Sequence, residues 1–120
     1  MVLVVQPSGD ERATIARVLR DDGHEVVELS DGAQLLARLV SLVALRGQRS
    51  DSIAVVTTRD GSVVAVLRML RTARWRTPVV LLADEPEPAS ELGAVATLCR
   101  PPDPRELRAA VDRALAAAHR

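Results

Sequence analysis

Five short apolar segments alternate along this chain with segments of helical periodicity, and this alternation restricts the fold more than any other feature. The apolar segments span residues 2–5, 25–29, 52–57, 77–83 and 95–99. A turn follows each of them within a few residues. Strands that alternate with helices pair in parallel, because right-handed crossovers lay each helix back over the sheet. The sequence therefore predicts one α/β domain covering residues 1–120, with a parallel five-stranded sheet.

Turn and capping residues place the helices between these strands. Ser8 is positioned to accept a hydrogen bond from the amide of Glu11, whose carboxylate would reach back in a capping box, and Gly23 would end that helix. Residues 83–93 have room for little more than one helical turn, so the fourth helix should be short. Two other helices are predicted over residues 33–46 and 62–73, and the last predicted helix begins near Pro104. The pattern is a doubly wound (βα)5 arrangement with the flavodoxin-like strand order 2-1-3-4-5.

Composition excludes several classes of function. Sixteen arginines balance sixteen acidic residues, so no net charge steers the chain toward nucleic acid or a membrane. The single Cys99 excludes an internal disulfide and a cysteine-built metal site, and it is expected to be a small buried hydrophobe. His24 and His119 have no predicted catalytic partner. Because no leader precedes the first strand and no apolar run approaches about 18 residues, we expect a cytoplasmic protein.

Four stretches together resemble the receiver domain of bacterial two-component response regulators. In chain order they are "VLVV" before a capped helix, "DGHEVVELSDGAQLLARL", "VLRMLR" ahead of "TPVVLLA", and "GAVATLCRPPDPRELRAAV". The resemblance extends from Val2 to about Ala118 and implies a single receiver-like domain. Arg100 and Pro101 replace the family's Lys-Pro, whose peptide bond is usually cis, so the isomer of this bond tests the resemblance.

The resemblance further implies a phosphorylation site and shows where this chain departs from it. In the family, an aspartate after the third strand accepts a phosphoryl group beside Mg²⁺ held by an acidic pair, and a Thr or Ser and the lysine bind the phosphoryl oxygens. These functions fall on uncharged residues and one arginine. The acidic pair corresponds to Gln6 and Pro7, the acceptor to Thr57 or, with a one-residue shift, to Thr58, the switch residue to Ala83, and the lysine to Arg100.

A neutral threonine without a neighbouring base is a poor substitute for an ionised carboxylate. We therefore expect a degenerate pseudo-receiver that is not an enzyme, with no catalytic residues, no metal and no cofactor. It would act through contacts with a protein partner, its own output domain or a second copy, as the regulatory domain of a transcription or signalling regulator or as a separate adaptor.

The alternative hypothesis is a small-ligand sensor that uses the vacated crevice. That crevice would be lined by Gln6, Thr57, Thr58, Ala83 and Arg100. Arg100 would hold an anion there, whereas in the simpler interpretation it pairs with Asp84 or Asp60 and closes the pocket. An open hollow with Arg100 directed into it would favour the ligand sensor.

Two further features are candidates for an interaction surface. The second helix has a second apolar stripe beside its core stripe, which either meets a partner or touches a neighbouring helix. Arginines surround the single tryptophan, a pattern that can bind nucleic acid, although zero net charge favours an ordinary solvated helix face. The candidate surface residues are Leu36, Val40, Val43, Arg71, Arg74 and Trp75.

Overall fold

The computed structural model describes residues 1–85, 88 and 90–116, which contain one sheet of five parallel strands in the order β2-β1-β3-β4-β5. The strands are β1 (Val2–Val5), β2 (Val26–Leu29), β3 (Ala54–Thr58), β4 (Val79–Ala83) and β5 (Ala94–Cys99). The helices are α1 (Gly9–Asp21), α2 (Gly32–Val40), α3 (Gly61–Thr72) and α4 (Pro104–Ala116). The predicted α/β class, parallel pairing and strand order are confirmed.

Both faces of the central strands β1 and β3 are buried, as a doubly wound fold requires. On β1, Leu3 and Val5 point into one core with α2 and α3, while Val2 and Val4 point into another with α1 and α4. All four side chains are at most 1% exposed. Because consecutive residues of a strand face opposite sides, polar groups can be presented only where the strands end.

The segment between β4 and β5 is shortened, as predicted. Among the described residues of this segment, helical structure is limited to a 3-10 turn at Ser90–Leu92, and Leu92 anchors that turn in the core. β5 is an edge strand of the sheet, and each of its residues is partly or fully exposed. Cys99, at the end of β5, is exposed, so the prediction of a buried thiol is wrong.

Two predicted boundaries differ from the structure. The helix expected over residues 33–46 is α-helical only to Val40 and then widens into a π-helical turn at Ser41–Leu45. The third strand begins later than predicted because Ser50–Ser52 forms a 3-10 turn. It also ends one residue later than predicted. Thr58 is therefore the last residue of β3. Residues 117–120, with His119, lie outside the described residues.

The amino ends of α2 and α3 approach each other so closely that only glycine fits at position 32. The Gly32 amide donates a hydrogen bond to Ser62 Oγ at 3.0 Å, and a Cβ at Gly32 would lie under 3.0 Å from the Ser62 backbone carbonyl. A Cβ added at Gly61, in contrast, would meet no heavy atom from elsewhere in the structure within 4 Å.

We predict that Gly32→Ala lowers the free energy of unfolding by about 1–3 kcal/mol, because backbone atoms must move to admit the methyl group. Gly61→Ala is the matched control and should leave stability unchanged or raise it by up to about 1 kcal/mol. Urea unfolding of the three proteins measures both effects. Equal stability of the two variants would contradict the close helix approach.

Candidate functional site

The strand ends bring the predicted site residues to the carboxyl edge of the sheet. Gln6 and Pro7 follow β1, Thr57 and Thr58 end β3, Ala83 ends β4, and Arg100 and Pro101 follow β5. The amide of Arg100 donates to the carbonyl of Ala83 at 3.0 Å, which joins the last two strand ends. The peptide bond between Arg100 and Pro101 is cis, the isomer usual in the family that the sequence resembles.

Gln6 is fully buried at this edge. Its amide donates to the carbonyl of Leu29 at 3.0 Å, and its own carbonyl accepts from Arg12 Nη1 at 2.8 Å. Its side-chain Nε2 and Oε1 have no hydrogen-bond partner in the described part of the chain. A carboxylate in the same surroundings would cost far more to bury than this amide. The first position after β1 therefore holds a buried neutral amide, and the neighbouring cation, Arg12, binds its backbone carbonyl.

Only one of the two threonines faces the crevice. Thr57 is fully buried and donates its hydroxyl hydrogen to the carbonyl of Thr58 at 3.0 Å. Thr58 lines a hollow at the carboxyl edge. Pro7 is exposed and does not line that hollow.

Two adjoining hollows occupy the crevice. The first, of about 260 Å³, is lined by Thr58, Arg59, Asp60, Leu82, Ala83, Asp84 and Arg100. The second, of about 430 Å³, is lined by Glu11, Asp84, Arg100 and Pro101. Asp84 and Arg100 border both hollows, so one acid and one cation are shared between them.

Arg100 is already paired with a carboxylate. Its Nε donates to Glu11 Oε1 at 3.0 Å and its Nη2 donates to Glu11 Oε2 at 2.6 Å, a bidentate geometry. The hydrogen bonds to Glu11 raise the pKa of Arg100 above its ordinary value, and the charges of Glu11 and Asp84 add to the effect. The predicted pairing of Arg100 with Asp84 or Asp60 is wrong, because Glu11 at the start of α1 reaches across the edge.

This pairing also changes the helix cap. Ser8 Oγ accepts from the amide of Glu11 at 3.5 Å, as expected for the first half of a capping box. The Glu11 carboxylate binds Arg100 in place of the predicted reach back toward Ser8. Sequence reasoning missed Glu11 as a site residue, since the capping pattern already accounted for its side chain.

Asp60, another acid at this edge, is engaged in capping a helix. Asp60 Oδ1 accepts from the amide of Ser62 at 2.8 Å and from its hydroxyl at 2.6 Å, and these hydrogen bonds lower the pKa of Asp60. Asp60 thereby caps α3. In the described chain, three metal-ligating side chains converge only at Asp22, His24 and Asp112, which do not line either hollow.

The predicted apolar stripe on α2 is mostly in contact with the core. Leu36 and Val43 are partly buried and pack against the core between the sheet, α2 and α3, as does Trp75. Val40 is 43% exposed. The stripe therefore serves largely to cover the sheet and leaves Val40 at the surface.

The two predicted surface arginines have different environments. Arg71 Nη2 donates to the carbonyl of Thr77, and its guanidinium fills the space beside Gly93. Burial lowers the pKa of Arg71. Arg74 is exposed with a positive φ of 62°. Arg71 thus stabilises the connection into β4 and is not free at the surface.

No family model and no curated protein matches this chain, but solved structures do. The fold is similar to the chemotaxis response regulator CheY4 of Vibrio cholerae, with 25% identity, a TM-score of 0.72, and coverage of 95% of this chain and 97% of that one. The receiver domain of NtrX from Brucella abortus has 23% identity and a TM-score of 0.72, and the match covers 96% of this chain and 98% of that one. A longer NtrX chain, in complex with ADP, has 25% identity and a TM-score of 0.77 over 98% of this chain but 26% of its own length.

The fold is therefore that of response-regulator receiver domains, which are signalling domains. The same fold also occurs as one part of longer chains, such as that of NtrX. In the described part of the chain, no helix is long and apolar enough to cross a membrane.

We predict a measurable coupling between Glu11 and Arg100. In a double-mutant cycle with Glu11→Gln and Arg100→Gln, the coupling in the free energy of unfolding should be about 0.5–1 kcal/mol, because the pair is bidentate but partly solvated. High salt should reduce it. The pair of Arg49 and Asp51 is the control and should couple less, because it is joined through one nitrogen at 2.7 Å and its arginine is 72% exposed. Zero coupling between Glu11 and Arg100 would show that the pair does not hold the edge together.

Proposed function

We propose that this domain is a pseudo-receiver, a signalling module that works through protein contacts and without phosphorylation. The observation that carries the proposal is the set of side chains at the ends of β1 and β3. Gln6 is a buried neutral amide there, and Thr58 is a hydroxyl facing the hollow. Phosphoryl transfer by the family's route needs carboxylates at both places, for the metal and for the acceptor.

The arrangement of Arg100 supports the same proposal. A cation beside the phosphorylation site stabilises charge on the phosphoryl group only if it is available. Here the Nε–Nη2 side of the guanidinium is occupied by Glu11, at 3.0 and 2.6 Å. Glu11 thus supplies internally the negative charge that a phosphoryl group would bring. We infer that the crevice is held in one state by this pair and that it has no catalytic residues.

We propose a protein partner, an output domain or a second copy of this chain as the interacting molecule. Support comes from the fold, which solved structures show both as a nearly whole chain and as a quarter of a longer one. Val40 and Arg74 are the members of the predicted interaction surface that are exposed. Nucleic acid is disfavoured because the charges balance and Trp75 is packed against the core. The cytoplasmic location stays a prediction.

Small-ligand sensing is the alternative, and the open hollow of about 260 Å³ is the observation that favours it. An anionic ligand would have to displace Glu11 from Arg100. We therefore expect no saturable change in the amide resonances of Thr58 and Arg100 when inorganic phosphate is titrated. A saturable change that Arg100→Gln abolishes would favour the ligand sensor over the pseudo-receiver.

The main prediction concerns phosphorylation itself. Incubation with acetyl phosphate and Mg²⁺ should leave the intact mass of the protein unchanged, because neither a metal-binding acidic pair nor a carboxylate acceptor is available. Intact-mass spectrometry measures the outcome. A receiver domain that has the acidic pair and the aspartate is the positive control, treated in the same way.

The control variant for this experiment is Thr58→Ala, which removes the hydroxyl that faces the hollow. A stable phosphoryl adduct on the unaltered protein that disappears in Thr58→Ala would overturn the proposal. It would make Thr58 the acceptor.

A further inference from the structure

His24 lies between two carboxylates just after the carboxyl end of α1, whereas Glu11 and the crevice are at the amino end of that helix. Its Nε2 is 3.0 Å from Asp112 Oδ1 and 3.6 Å from Asp22 Oδ2, and the three ligand atoms lie within 4.8 Å of one another. We propose that these three side chains form a binding site for a borderline divalent transition-metal ion, represented here by Zn²⁺. This site is separate from the crevice and does not depend on the proposed function.

The backbone holds two of the ligands rigidly. The amide of Gly23 donates to the carbonyl of Arg20 at 3.0 Å, and the amide of His24 donates to the carbonyl of Leu19 at 3.1 Å. With Gly23 at a φ of +88°, this is a Schellman motif that ends α1. Asp22 and His24 flank that glycine, so their side chains leave a fixed turn.

The third ligand comes from the neighbouring helix. Asp112 lies on α4, whose buried residues Val111 and Ala114 pack into the same core as Leu19 of α1. This packing sets the distance between the two helices on one face of the sheet. A metal ion held by the three side chains would therefore connect the end of α1 to the middle of α4.

The spacing of the ligand atoms suits a small transition-metal ion. Ligands at roughly 2.0–2.1 Å from a tetrahedral Zn²⁺ lie roughly 3.3 Å apart, and the separations from Nε2 are 3.0 and 3.6 Å. One imidazole nitrogen with two carboxylate oxygens is a donor set for Zn²⁺ and similar ions, whereas Mg²⁺ and Ca²⁺ prefer oxygen alone. A water molecule would complete the coordination.

The charges at the cluster point to the same conclusion. A single hydrogen on Nε2 can make a good hydrogen bond to only one carboxylate, yet two carboxylates converge on that nitrogen. Among the described residues, His24 is the only basic side chain within ion-pair distance of Asp22 or Asp112. A divalent cation would balance both carboxylates at once. The side chains of His24, Asp22 and Asp112 are 16%, 32% and 58% exposed, so an ion can reach them from solvent.

Calorimetric titration of Zn²⁺ into the full chain tests the site. The Cys99→Ser background is used because the exposed thiol is itself a zinc ligand. We expect one ion to bind with micromolar affinity, and His24→Gln and Asp112→Asn each to weaken binding by at least about tenfold. Mg²⁺ at the same concentration should not compete. Circular dichroism verifies that both variants are folded.

Two controls separate this site from other sources of binding. His119→Gln removes the only other histidine, and Asp21→Asn removes an exposed acid next to the cluster; neither should change the affinity. In the imidazole NMR spectrum, Zn²⁺ should shift the signals of His24 and leave those of His119. Absence of binding, or binding that His24→Gln and Asp112→Asn leave unchanged, would overturn the proposal and leave the cluster as a hydrogen-bonded histidine–carboxylate contact.

Discussion

The burial of β1 and β3 on both faces of a parallel sheet is the constraint on which the rest of this structure depends. Since every side chain inside these strands contacts a core of apolar residues, chemistry is confined to the strand ends. Gln6 stands at the first position after β1 and is still fully buried. The sheet accepts a neutral amide there, whereas a carboxylate would need a cation or metal beside it.

The pair between Glu11 and Arg100 is a side-chain contact that spans this edge of the sheet. It links the first turn of α1 to the connection after β5, across the edge where receiver domains bind the phosphoryl group. A partly exposed ion pair adds little to stability, so its consequence is mainly geometric. It directs the guanidinium of Arg100 toward Glu11 at the border of the hollow beside Thr58.

Sequence reasoning succeeded where the signal was local or periodic. The strand order followed from five alternating segments, and the short connection before β5 followed from its length. It failed where a side chain had to choose between distant partners. Glu11 and Arg100 are 89 residues apart in the chain. It also failed for Cys99, which was predicted to be buried but is exposed at the end of the edge strand β5.

The sequence by itself determined the fold class and the identity of the residues at the strand ends, because hydrophobic periodicity and turn residues act over a few neighbouring positions. The tertiary structure alone decided which of those residues meet. His24 and Asp112 lie 88 positions apart and become neighbours only because α1 and α4 pack on the same face of the sheet. Partner choice for a charged side chain depends on distances in space, and helix packing sets those distances.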